Sequence, residues 1–133
     1  MRTDHRTCSG VLVVDDDYEI RHAIMQILAE EGYETQGAFN GEEALAQLER
    51  SCSAGERLPC VIILDCMMPV MDGRELQAAM HDNPKLSTIP LVVISGDRKS
   101  ARSVAAEETQ APVAALVKPL QLDALLKTVA RFC

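Results

Sequence analysis

The chain reads as a doubly wound α/β domain, a five-stranded parallel sheet covered by helices on both faces. Three observations predict this. Short continuous apolar runs recur along the sequence, segments of helical spacing lie between them, and each buried run ends in a polar or charged residue. Strands buried on both faces read as unbroken apolar runs, whereas half-exposed strands alternate. Regular alternation of strand and helix implies parallel pairing through right-handed crossovers. At 133 residues the chain is long enough for one sizeable core and too short for two.

The first run, "VLVV" at Val11–Val14, is followed by Asp15, Asp16 and Asp17, and then by a stripe of Ile20, Ala23, Ile24, Ile27 and Leu28 at helical spacing. Gly32 ends that helix. "YETQGAF" at Tyr33–Phe39 alternates and suits an edge strand. Asn40-Gly41 opens the second helix, with Ala44, Leu45 and Leu48 on one face. "SCSAGERLP", Ser51–Pro59, reads as a polar surface loop before the central run "CVIIL" at Cys60–Leu64. The third helix carries Leu76, Ala79 and Met80 and closes at Pro84, and Pro90 begins the run "PLVVI". The polar stretch Arg98–Glu108, with Val104 as its strong apolar residue, is the weakest helical segment. The last strand, "PVAALV" at Pro112–Val117, leads to a stripe of Leu122, Leu125, Leu126, Val129 and Ala130.

Composition narrows the function classes. Net charge is -7, which opposes direct binding to a phosphate backbone, since that requires clustered Lys and Arg. No apolar stretch approaches the ~18 residues of a membrane span, and the opening "MRTDHRTCSG" lacks the apolar middle of a secretory signal. A cytoplasmic location is expected. Cys8, Cys52, Cys60, Cys66 and Cys133 are odd in number and form no C-x-x-C pair, so reduced thiols are expected in place of a disulfide framework or zinc site.

Ligands of such sheets collect beyond the carboxyl ends of the strands. There the sequence places Asp15, Asp16 and Asp17 after the first run, Asp65 after the third, Ser95 after the fourth and Lys118-Pro119 after the fifth. Each has an ordinary alternative: a carboxylate capping a helix, a turn hydroxyl, a solvated lysine. Their coincidence at one rim argues for more. Carboxylates, a hydroxyl and an ammonium converging on one edge describe a site for Mg²⁺ and a phosphoryl group, because Mg²⁺ takes one or two carboxylates together with phosphate oxygens and water. Asp17 fits the role of helix cap better than that of ligand.

The successive segments "VLVVDDDYEIR", "VIILDCMMPVMDG", "IPLVVISGD" and "VKPL" resemble the motifs of the receiver domain of two-component response regulators, of the stand-alone chemotaxis-regulator type. The resemblance runs from Val11 to Phe132, with residues 1–10 a short tail before a receiver domain of 11–133. It implies a flavodoxin-like (βα)₅ fold with strand order 2-1-3-4-5. It further implies that Asp65 accepts a phosphoryl group from a phosphohistidine of a sensor histidine kinase or phosphotransfer protein. By the same resemblance Asp16 is the direct Mg²⁺ ligand, with Mn²⁺ as a substitute; Asp15 holds metal-bound water, and Met67 supplies a backbone carbonyl. Ser95 bonds the phosphoryl oxygen, and Lys118 pairs with it. Phosphorylation signals by conformational change to a downstream protein, from a monomer or weak dimer and without enzymatic turnover of an external substrate.

Several features depart from the family pattern, among them Gly96, where the residue after Ser95 is commonly alanine. Ala115 stands where an aromatic residue three positions before the lysine usually reports phosphorylation, and Ala111-Pro112 replaces the usual glycine-alanine pair. Two other readings are open at this level. A haloacid-dehalogenase-like Mg²⁺-dependent phosphatase also uses an aspartate nucleophile, a strand-end hydroxyl and a lysine, but Glu19 breaks its opening motif and only Asp123 follows Lys118 closely. The chain could also be a receiver cut from a hybrid kinase or multidomain regulator; the initial Met favours the stand-alone form.

Overall fold

A computed structural model of the chain describes residues 10–65, 73–95, 113–117 and 121–133. Among these residues the apolar runs form strands β1 (Val11–Val14), β2 (Thr35–Ala38), β3 (Val61–Asp65), β4 (Leu91–Ser95) and β5 (Val113–Val117). Helices α1 (Tyr18–Glu30), α2 (Gly41–Ser53), α3 (Gly73–His81) and α4 (Leu122–Phe132) lie between or after them. The stretch Arg98–Glu108 is outside the described residues. All neighbouring strands pair in parallel, in the order β2-β1-β3-β4-β5 that the resemblance to receiver domains implies.

Alternate residues of the buried strands face opposite sides of the sheet, and this divides the core in two. Leu12, Val14, Ile62, Leu64 and Leu91 pack with Ala44 and Leu48 of α2 and Leu76 and Met80 of α3. Val11, Val13, Val61, Ile63, Val92 and Ile94 pack with Ile24 and Leu28 of α1 and Leu125 and Val129 of α4. Both faces are therefore covered, which is why β1 carries no polar residue and β3 and β4 carry none until their last position. β2, at the edge, alternates as expected.

Local signals fix the helix ends. Gly32, with φ of +94°, sits just beyond α1, where its N–H donates to the Ala29 carbonyl and the Tyr33 N–H donates to the Leu28 carbonyl. Tyr33 then joins Leu28 in the core, the hydrophobic contact that accompanies this type of helix end. At α2, Asn40 Oδ1 accepts from the Glu43 N–H at 2.8 Å while Glu43 Oε1 accepts from the Phe39 N–H at 3.0 Å, a reciprocal arrangement that satisfies two orphan donors.

The structure corrects three expectations. The buried faces of α1 and α4 are narrower than their apolar spacing: Ile20 and Leu122 are exposed, as are Ala23 and Ala130. Ile20 and Leu122 lie in first turns that begin beyond the carboxyl edge of the sheet, so they overhang the core. Helix α2 continues through Ser51–Ser53 because the half-buried Cys52 packs against the core, and the polar loop is shorter than expected. Finally, Cys60 and Cys133 are not two separate thiols. They pair as a disulfide with Cα atoms 5.5 Å apart, because the last turn of α4 returns to the amino-terminal edge of the sheet where β3 starts; Cys52 remains a free cysteine. Cys8 and Cys66 lie outside the described residues.

Candidate functional site

Register decides which strand ends meet. Val14 is level with Leu64 across β1 and β3, so Asp15 and Asp65, the next residue on each strand, are neighbours on strands about 4.8 Å apart. Asp65 is level with Ile94 on β4, which puts Ser95 one position further out. Ser95 is level with Val117 on β5, and Lys118 is the residue that follows. The sheet therefore presents Asp15 and Asp65 in one row and Ser95 in the next. Met67 and Lys118 themselves lie outside the described residues, as do Pro119 and the Ala111-Pro112 pair. Ala115 is level with Val93, and thereby with Leu64 and Val14, one row below the aspartates.

The three consecutive aspartates separate into distinct environments. Asp15 is 3% exposed; its N–H continues the ladder to the Ala38 carbonyl at 3.1 Å, and its Oδ1 accepts from the Asp17 N–H at 2.9 Å. Asp16 is exposed at the rim. Asp17 is the N-cap of α1, accepting from the Glu19 and Ile20 N–H groups at 2.9 and 3.3 Å, as its position in the sequence suggests. Like charges this close repel, and burial of Asp15 raises the cost. The arrangement is one that a cation relieves.

A residue that the sequence does not single out completes this corner. Arg21 Nη1 donates to the Asp15 carbonyl at 2.7 Å. The guanidinium lies 5.4 Å from the Tyr18 ring centroid, and Tyr18 stacks on His22 at 5.6 Å. Gly37 leaves the room for it: a Cβ there would come within 2.9 Å of Met25 Sδ and 3.3 Å of Arg21 Cδ. Arg21 thus ties the acidic loop to α1 and brings a fixed positive charge beside it. The signal that could have found it is Gly37 in the edge strand, whose missing Cβ makes room for Arg21 and Met25 of α1.

The donor chemistry fits a hard divalent cation. A buried carboxylate beside an exposed one, with Asp65 next in register, offers oxygen ligands and an open solvent side, which suits an ion that keeps several waters. Among the described residues, no three side chains of metal-binding type converge.

Comparison with known proteins agrees with this geometry. The family model for the response regulator receiver domain matches residues 11–130. A 14.6 kDa uncharacterised protein of Leptolyngbya boryana is 32% identical over 128 residues, covering 92% of this chain and 88% of that protein. The transcriptional regulatory protein PrrA of Mycobacterium tuberculosis is 36% identical over 125 residues, covering 92% of this chain but 49% of its own length; the chain spans about half of such regulators. Among solved structures, the Vibrio cholerae chemotaxis protein CheY4 superimposes with a TM-score of 0.75 at 30% identity, covering 95% of this chain and 99% of that one. The family match displaces the phosphatase reading. With its parallel sheet in the order β2-β1-β3-β4-β5 and its acidic corner at the carboxyl edge, this chain belongs to the response regulator receiver domain family, the phospho-signalling module of two-component systems.

Proposed function

We propose that Asp65 is the phospho-acceptor, receiving a phosphoryl group from a phosphohistidine of a sensor histidine kinase or phosphotransfer protein. The observation that carries this is the register that sets Asp65 beside the buried Asp15 and one row inside Ser95. A carboxylate oxygen of Asp65 forms the new bond to phosphorus as the phosphorus–nitrogen bond breaks, and the electron pair leaves with the imidazole nitrogen. Asp16 and Asp15 are assigned the Mg²⁺ site, Asp16 by direct contact and Asp15 through water, with the Met67 carbonyl and Asp65 completing it. Mg²⁺, or Mn²⁺ in its place, supplies neutralisation of charge on the phosphoryl oxygens when bound. Ser95 donates its hydroxyl to a phosphoryl oxygen, and Lys118 pairs with another as a point charge.

Arg21 holds the Asp15 backbone in place throughout. The output is a change in contacts with a downstream protein, made by a cytoplasmic domain acting as monomer or weak dimer. No helix among the described residues is long and apolar enough to cross a membrane. The tail at 1–10 and the receiver at 11–133 complete the proposed organisation.

Incubation with acetyl phosphate and Mg²⁺, followed by intact mass measurement, tests the reading. A single phosphoryl adduct is expected with Mg²⁺, and none when the cation is removed by a chelator. Rapid turnover of assorted phosphoesters, or an adduct indifferent to chelation, contradicts it.

A further inference from the structure

We propose that Cys60 and Cys133 form a reversible dithiol–disulfide site, oxidised by small-molecule disulfides of the glutathione type, that sets whether the end of α4 is covalently held to the start of β3. Their Cα separation of 5.5 Å falls at the commonest value for a disulfide, so bonding requires no movement of the backbone. The geometry also accommodates the reduced form. Cys60 Sγ lies 3.2 Å from the Gly10 carbonyl oxygen, near enough for the thiol to donate there once the disulfide is reduced. That carbonyl also accepts the Cys60 N–H at 2.8 Å, so the Cys60 end is fixed in either state.

Both cysteines are half-buried at the margin of the core that holds Leu125 and Val129, which leaves them within reach of a small reagent. Cys133, at the end of α4, is assigned the first attack. Its thiolate attacks one sulfur of the small disulfide; that S–S bond breaks, and the departing thiolate takes the proton Cys133 released. Cys60 then attacks the Cys133 sulfur of the mixed disulfide, and the second small thiol leaves with the proton of Cys60. Two cysteine thiols are oxidised and one small disulfide is reduced to two thiols.

The consequence is conformational. Oxidation closes a loop with a sequence separation of 73 residues, which restricts the unfolded chain strongly. It also ties down a helix end otherwise anchored in the core by Leu125 and Val129. Five residues at about 3.3 Å each separate Cys60 from Asp65 along β3, roughly 16 Å, so the two sites are distinct and this inference stands apart from the phosphoryl reading.

The full chain equilibrated in glutathione buffers of graded redox ratio, quenched with an alkylating agent and mapped by non-reducing peptide mass spectrometry, tests it. The Cys60–Cys133 peptide pair should rise and fall with one midpoint inside the range of the series, while Cys52 stays alkylated throughout. Oxidised protein should melt on the order of 10 °C above reduced protein. Cys133→Ser should lose both the pair and the redox dependence while melting with the reduced wild type. Three outcomes overturn the proposal: both thiols alkylated at the oxidising end, pairing of Cys60 with Cys8, Cys52 or Cys66, or a bond that persists at the reducing end.

Discussion

Asp65→Asn should reduce Mg²⁺-dependent phosphorylation by at least ~10³-fold, the scale on which loss of a covalent nucleophile acts. Asparagine keeps the shape of the side chain at the end of β3 but is neutral and a poor nucleophile. The fold should persist, because Val61–Leu64, which anchor the strand, are untouched and buried. Metal-free stability should rise by about 1 kcal/mol, since one of several neighbouring negative charges is removed. Urea unfolding and phosphodonor incubation of the same variant read the two effects separately. A variant that still acquires the adduct at the wild-type rate would move the acceptor to another residue.

Gly10→Ala should destabilise the domain by about 3 kcal/mol, measured as a lower urea midpoint with an unchanged slope. Gly10 has φ of +105°, and a Cβ there would stand 2.1 Å from the Glu34 carbonyl oxygen. That oxygen accepts the Val11 N–H at 2.8 Å, so the clash cannot be relieved without breaking the first bond between β1 and the segment entering β2. The positive φ costs about 1–2 kcal/mol, and forced overpacking adds about 1–3 kcal/mol. The Gly10 carbonyl is also the acceptor for Cys60, so the variant should disturb the start of β3 too. Phosphorylation of the fraction that remains folded should be normal, because Gly10 is at the opposite edge of the sheet from Asp65.

The strands were legible because a parallel sheet covered on both faces leaves an unmistakable trace: apolar runs such as Val11–Val14 and Val61–Leu64 that break only where the chain leaves the core; their order came from the resemblance to receiver domains. The same break marked the candidate site, since Asp15, Asp65 and Ser95 follow those runs directly. Other features were hidden because they depend on what lies across a gap in sequence. Arg21 looks like any solvated helix residue until Gly37, on a different element, makes room for it. Cys60 and Cys133 are too far apart in sequence to suggest a pair, and an odd number of cysteines argues against one. The exposure of Ile20 and Leu122 follows from where their helices begin relative to the sheet edge, which periodicity alone does not encode. Asp17 was readable as a cap, because a carboxylate just before a helical stripe has a local use whatever the tertiary fold.

The central claim is that phosphoryl chemistry occurs on Asp65 and not on the acidic residues around it. An aspartyl phosphate is reduced by borohydride to homoserine at the modified position, so trapping the adduct and sequencing its peptides by tandem mass spectrometry locates the acceptor. Homoserine at position 65, with Asp15, Asp16 and Asp17 unchanged, is the predicted result. Homoserine at any of those three positions, or a phosphoryl group recovered on serine, histidine or lysine with Asp65 intact, would contradict it.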